Sequence, residues 1–343
     1  MEATFGAGSR LGDLGSPLFE IGQGMLNLPD IDRQTVAGAT ATGTHGTGIN
    51  FKSLSGYITG LRLITADGDI KELDASQKDL FDAARVNLGA LGVVTRIKMQ
   101  NRKAYKLKKR EWTAPTEDML RDFQMLASKY RHFEIFPLVY SDYSLVLAID
   151  ETEQPIGETI IPAEEVELAD LRPLGVNASP AEKLAMNNAL AENTQISEAV
   201  DQSYKVLSNI RSTPFNEMEY SVPASTSAEC VREILKTIYD EAIEVAFPLE
   251  YRYVSPEDPW LSMAYGEEPH ATISIHRSAF EDYQPYFNRI EPIFRKYGGR
   301  PHWGKVHSLG HKELNELYPR FSEFKEIRNS LDPQGRLLNE HLR

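Results

Sequence analysis

A single cysteine, Cys230, occurs in 343 residues. That excludes an intrachain disulfide framework and any thiolate metal cluster, and it suits a reducing compartment. Positive charge is also scarce: 37 Lys and Arg against 50 Asp and Glu leave a formal charge of −13. Proteins that bind nucleic acid or anionic membranes need the opposite balance, so neither partner is expected. No run of about 18 apolar residues is present to span a membrane. Met1-Glu2-Ala3-Thr4 lacks the basic and apolar regions of a signal peptide. The expected location is the cytoplasm. Gly-x-Ser-x-Gly elbows, Walker loops and a catalytic cysteine context are missing too.

What remains is an ordinary globular composition, 41% hydrophobic and 25% charged, long enough for two domains with separate cores. One stretch stands out: Thr40-Ala41-Thr42-Gly43-Thr44-His45-Gly46-Thr47-Gly48. Glycines interleaved with small hydroxyl residues leave main-chain N–H groups uncovered, so a negatively charged ligand can approach the backbone.

Alternation of apolar and polar residues from Gly56 to Thr65, a turn at Ala66-Asp67-Gly68-Asp69 and renewed alternation from Ile70 predict a β-hairpin. Ser76 to Arg85 reads as a helix with Ser76 as N-cap and Asp79 at N3. Leu88 to Met99 reads as a glycine-punctuated turn entering a strand. Lys103 to Arg110, with five basic residues, reads as a solvated strand edge or linker. Beyond it, helices are expected at 117–130, 178–210, 227–244 and 283–297. Strands are expected within 132–149, 245–254 and 271–276, and an acidic surface excursion at 150–173. Such interleaving suggests an α+β domain with helices on one face of an antiparallel sheet.

Two strands carry polar faces. In Glu250-Tyr251-Arg252-Tyr253-Val254, Glu250 and Arg252 share a side, because residues two apart in a strand point the same way. A carboxylate beside a guanidinium stays ionised with fixed geometry, whether as a surface salt bridge or as a working pair. Thr272, Ser274 and His276 likewise oppose two isoleucines. Arg300-Pro301-His302-Trp303-Gly304-Lys305 is basic and aromatic after a helix stop, so Lys305 is a candidate fixed charge beside an anionic group. His302, His307 and His311 do not have zinc-ligand spacing, and no metal is expected.

Asp30 to Ala39 running into Thr42-Gly43-Thr44-His45-Gly46-Thr47-Gly48, together with Leu88 to Thr95, resembles the vanillyl-alcohol-oxidase-type (PCMH-type) flavoproteins. His302-Trp303-Gly304-Lys305, Tyr318-Pro319-Arg320-Phe321 and Leu331-Asp332-Pro333 with Gly335 and Asn339 are similar to the C-terminal signature of the sugar-1,4-lactone oxidase and alditol oxidase branch. The resemblance spans nearly the whole chain and is weakest between residues 150 and 215. It implies an α+β fold: the second lobe of a PCMH-type FAD-binding domain at 1–104, an α+β cap (substrate) domain with an antiparallel sheet at 105–308, and a segment at 309–343 returning to the FAD domain. The family's first lobe, with the loop around the FAD diphosphate, would precede Met1, so the chain is expected to represent the family without it.

The implied activity is FAD-dependent oxidation of a CH–OH group in a sugar lactone, alditol or other small polyhydroxylated substrate, with O2 as acceptor and H2O2 as product. The implied alternative is a homologue with weak or no FAD binding and no catalysis. FAD would be held by Ala39, Thr42, Gly43, Thr44, His45, Gly46, Thr47 and Gly48, and by Gly89, Gly92, Val93 and Val94. Glu250, Arg252, His276 and Lys305 would stand on the substrate side, with Lys305 near reduced flavin. Arg252 would orient substrate hydroxyls. The base is left open between Glu250 and His276.

Overall fold

The computed structural model describes residues 1–157, 178–194, 196–209, 211 and 213–343. Two antiparallel sheets organise them. The first contains β1 (Glu2–Gly6), β2 (Gln23–Met25), β3 (Ile58–Ile64), β4 (Ile70–Leu73) and β5 (Val93–Lys103), in the order β1-β5-β3-β4 with β2 also paired to β5. The predicted hairpin is β3–β4: Thr65 N–H donates to Asp69 O at 2.9 Å, and Gly68 takes φ +91°. Three helices accompany this sheet: α1 (Gly15–Glu20), α2 (Val36–Ala41) and α3 (Lys78–Arg85). The cap ahead of α3 differs from expectation. Asp74, in extended backbone, accepts from Ser76 N–H and forms a capping box with Gln77, so a short 3-10 turn precedes the helix.

The second sheet contains β6 (Lys106–Pro115), β7 (His132–Pro137), β8 (Tyr143–Glu151), β9 (Ser197–Gln202), β10 (Phe215–Pro223), β11 (Glu250–Val254), β12 (His270–Ser278) and β13 (Arg300–Pro301). Their order is β13-β10-β12-β11-β7-β8-β6-β9. The basic segment at 103–110 is not an edge. β5 ends at Lys103 and β6 starts at Lys106, flanked by β8 and β9, with Lys108 paired to Glu198 at 2.8 Å. The helix expected over 178–210 stops at Glu192. The remainder folds as β9 and a short helix, because pairing with β6 outweighs weak helical periodicity. The expected excursion runs into residues 158–177, outside those described; before them, β8 runs to Glu151.

The remaining helices are α4 (Thr116–Lys129), α5 (Pro180–Glu192), α6 (Ser203–Leu207), α7 (Ala224–Asp240), α8 (Gln284–Lys296), α9 (His311–Leu317) and α10 (Phe321–Leu331). α4, α7 and α8 cover one face of the second sheet. Tyr251 meets Phe123 at 4.2 Å between ring centroids and Tyr220 stacks on Phe294 at 4.9 Å. With that face buried in aromatic core, the alternate residues of the central strands point to the other side, where residues 45–48 lie. α10 packs against α3, bringing the chain's end back to the first sheet.

Candidate active site

Register places the polar residues in rows. Ser221, Thr272, Arg252 and Glu134 lie side by side across β10, β12, β11 and β7. Glu219, Ser274 and Glu250 form the next row, and Glu217 with His276 the third. Each row alternates with buried Tyr, Ile and Met on the helix-covered face, so strand periodicity alone collects these groups on one side.

Arg252 is the hub. It is buried, 2.7 Å from Glu250 Oε1 and 3.4 Å from Glu219 Oε2, and its Nε donates to Thr272 Oγ1 at 3.2 Å. Between the two readings of the Glu250–Arg252 pair, burial rules out the surface salt bridge. Lys305 reaches the same face because its segment docks on β10: His302 N–H donates to Glu219 O and Val306 N–H to Glu217 O, both at 2.9 Å. The Lys305 ammonium pairs with the Glu217 carboxylate, whose other oxygen lies 3.6 Å from His276 Nε2. Glu250, Arg252, His276 and Lys305, picked separately from the sequence, are thus brought together.

The glycine loop closes over this sheet. Gly48 N–H donates to Tyr253 O at 2.9 Å, His45 Nε2 meets Glu219 Oε1 at 2.6 Å, and Thr47 Oγ1 donates to Glu134. Thr47 O is held by His132 Nδ1 at 2.7 Å and Asn27 Nδ2 at 3.2 Å. Thr42 caps α2 beside buried Ala39, while Gly43 and Thr44 turn the chain back over them. A Cβ on Gly46 would stand 2.2 Å from Leu28 O, so this glycine answers to protein packing. The second glycine turn touches the loop through Leu88 N–H, which donates to Ala41 O at 3.1 Å. Gly89 has open space at its Cβ position, whereas a Cβ on Gly92, at φ +156°, would meet Ile64 O at 2.5 Å. Val93 is exposed and Val94 half-buried at the start of β5, so this turn does not join the Arg252 cluster.

Burial and charge work against each other in the cluster. Burial opposes ionisation of Glu217, but Lys305 and His276 hold it well below the usual carboxylate range. The same contest at Glu219 is won by His45 and Arg252. Glu250 is pushed up by burial and Glu217 against the pull of Arg252. Glu134 is pushed up to about 7 by burial and Glu250. His302 falls to about 3 because burial penalises its charged form. Ligand atoms of Glu217, Glu250 and His276 lie within 4.8 Å of one another, as in a cation site. Lys305 and Arg252 already bring two positive charges to these carboxylates, which opposes a divalent ion.

Sequence reasoning missed Glu217, Glu219 and Glu134. The signal for the first two was present: Phe215 to Pro223 alternates Glu217, Glu219 and Ser221 with Met218, Tyr220 and Val222. Glu134 had no comparable mark.

Several groups await a polar partner. Ser221 Oγ, Ser274 Oγ and His276 Nδ1 are buried without hydrogen bonds, and N–H groups of His45, Gly46 and Thr47 have no backbone acceptor among the described residues. Unpaired donors on the loop, hydroxyls on the sheet and a lysine between them suit an anionic, heteroaromatic cofactor with a hydroxylated substrate.

Comparison with known proteins agrees. Residues 1–74 match an FAD-binding domain, and the chain is a flavoprotein with FAD as cofactor. The fold is shared with cholesterol oxidase from Brevibacterium sterolicum at a TM-score of 0.75 and 14% identity, covering 99% of this chain and 80% of that one.

Residues 97–343 match the D-arabinono-1,4-lactone oxidase family, and the chain belongs to that family of FAD-dependent oxidoreductases acting on CH–OH groups. It is 33% identical to L-gulono-1,4-lactone dehydrogenase of Mycobacterium tuberculosis over 99% of this chain and 80% of the relative. It is 28% identical to L-gulonolactone oxidase of Mus musculus (99% and 80%) and 27% identical to alditol oxidase of a Streptomyces species (98% and 79%).

Proposed function

We propose that the chain oxidises a secondary or lactol-type CH–OH group of a sugar lactone, or a hydroxyl of an alditol, on the sheet face that carries Arg252, with O2 as electron acceptor. The observation that carries this reading is the row structure: acid, guanidinium, imidazole and hydroxyl groups converge on one buried face opposite the glycine loop. In this reading residues 1–104 serve the cofactor, 105–308 the substrate, and 309–343 close the structure against the first sheet. Thr42 to Gly48, with Ala39, line the cofactor, and Gly89, Gly92, Val93 and Val94 approach it through the backbone.

Oxidising CH–OH to C=O removes a hydride from carbon and a proton from oxygen. FAD, when bound, would supply the two-electron acceptor for that hydride, with O2 as the terminal acceptor and H2O2 as product. Arg252 donates to substrate hydroxyls, its plane fixed by Glu250, Glu219 and Thr272. Lys305 would supply positive charge to the cofactor's side of the site, with Glu217 holding its ammonium in place. His276 receives the hydroxyl proton. Its buried Nδ1 has no partner, and Glu217 Oε1 faces the opposite nitrogen at 3.6 Å and orients the ring. Glu250 is already committed to Arg252.

The mycobacterial relative is named a dehydrogenase and the mouse and Streptomyces relatives oxidases, so the acceptor has to be measured. Purified chain loaded with FAD is mixed with a panel of sugar lactones and alditols, and H2O2 is assayed in air. Turnover with H2O2 supports the reading, turnover only with an added dye acceptor replaces O2 by another acceptor, and no turnover refutes it. Among the described residues no helix is long and apolar enough to cross a membrane. A buried, unpaired Cys230 accords with a cytoplasmic setting.

A further inference from the structure

Glu219 takes no chemical step above, yet both halves of the site converge on it. It sits mid-strand in β10, 1% exposed, between Met218 and Tyr220, which turn into the helix-covered core. Its two oxygens serve different parts of the chain. Oε1 faces His45 Nε2 at 2.6 Å, and Oε2 lies 3.4 Å from Arg252 Nη2. His45 belongs to the glycine loop beside the first sheet; Arg252 belongs to β11 of the second. The carbonyl of the same residue accepts His302 N–H at 2.9 Å and so anchors the segment that carries Lys305.

A buried ion pair adds little net stability compared with a packed apolar pair, so stability alone does not account for a carboxylate here. What a two-oxygen carboxylate does supply is geometry. Hydrogen bonds to a carboxylate are short and directional, and one rigid group that meets two partners fixes each relative to the other. His45 offers its other nitrogen, Nδ1, to Gly46 O at 2.9 Å, so a change in the loop backbone at Gly46 reorients the ring that touches Glu219. On the other side, Arg252 is left with Glu250 and Thr272 if Glu219 lets go.

We propose that Glu219 is a positioning residue that couples the cofactor loop to Arg252, so that FAD and the hydroxylated substrate bind with a shared free energy through its carboxylate. This rests on the assignment of the loop to FAD and of Arg252 to substrate. Coupling of this kind is reciprocal: whatever loosens the Glu219–His45 contact weakens both ligands.

The test compares wild-type chain, Glu219→Gln, His45→Gln and the double variant, measuring the FAD Kd by titration and the substrate KM and kcat. Glu219→Gln keeps the shape and removes the charge. It is expected to raise both the FAD Kd and the substrate KM by about tenfold or more, the effect of one charge-assisted hydrogen bond. The double variant is expected to bind FAD no more weakly than the poorer single variant, because both changes remove the same contact. Folded Glu219→Gln protein with either constant unchanged, or additive losses in the double variant, overturns the proposal. If Glu219→Gln does not fold, Glu219→Asp keeps the charge but cannot span both partners. Kd and KM rising together support the coupling, and one rising alone overturns it. A wild-type chain that binds FAD but is reduced by no sugar lactone or alditol overturns the proposed function instead, whatever the variants do.

Discussion

Replacing Lys305 by Met removes one ammonium from the cluster and leaves Glu217 behind. The Glu217 side chain is 8% exposed and that of Lys305 27%. Breaking a buried pair from one side costs about 3–5 kcal/mol, and the partial exposure of Lys305 places this case near 3 kcal/mol. The loss depends on pH. In the wild type the Glu217 carboxyl is held below its ordinary value of 4.5, so the stability it contributes is present above that value and fades as pH falls through the lower folded one. Without Lys305 burial dominates and pushes the group up, so ionisation destabilises the variant as pH rises. The gap between the two stability curves should therefore widen from about pH 4 toward neutrality, because ionised Glu217 stays paired in the wild type and is stranded in the variant. Urea unfolding of both proteins from about pH 4 to about pH 7.5 reads the gap directly. Adding Glu217→Gln to Lys305→Met removes the stranded charge and should recover most of the loss at neutral pH. A gap that is absent, or equal at both ends of the pH range, refutes the reasoning, as does a double variant no more stable than Lys305→Met.

Arg252→Lys keeps the charge but cannot reach Glu250, Glu219 and Thr272 together, so kcat/KM should fall about 10²-fold or more while FAD affinity changes less; steady-state kinetics with an FAD titration check this. Gly48→Ala forces a side chain into φ +134° and against Phe51 and Arg131 O, which should cost about 1–3 kcal/mol in denaturant unfolding. Glu134, raised to about 7, favours the folded chain when protonated, so Glu134→Gln should match the wild-type melting temperature well below pH 5 and exceed it above pH 7. The Cys230 thiol, pushed up to about 12 by burial, should resist iodoacetamide until the chain unfolds, which mass spectrometry of labelled protein would show.

How much of this was legible in the sequence follows from how local each signal is. The β3–β4 hairpin and the Glu250–Arg252 pair rest on alternation and turn chemistry within a few residues, and both could be read. The first two carboxylates of β10 were equally readable by alternation, but the strand lies just beyond the weakly patterned 178–210 segment, where no strand was expected. Glu134 could not be read, since its place beside Arg252 comes from the β7–β11 pairing between residues far apart in sequence. The contact between His45 and Glu219 spans 174 positions and needs both sheets in place. Gly46 and Gly92 show a different limit. The sequence suggests a ligand cradle, whereas Leu28 O and Ile64 O already stand where their side chains would go. Glycine spacing alone does not separate approach by a ligand from approach by the protein's own backbone.

The central claim is that a CH–OH donor bound beside Arg252 delivers a hydride to FAD held by the glycine loop. Anaerobic mixing of FAD-loaded chain with a sugar lactone or an alditol, followed by the visible flavin absorbance, tests it most directly. The account predicts that the flavin band bleaches in a substrate-dependent single exponential, that Arg252→Lys slows it sharply, and that admitting O2 restores the band with formation of H2O2. A flavin band unchanged by every lactone and alditol, in a chain shown to hold FAD, would contradict it.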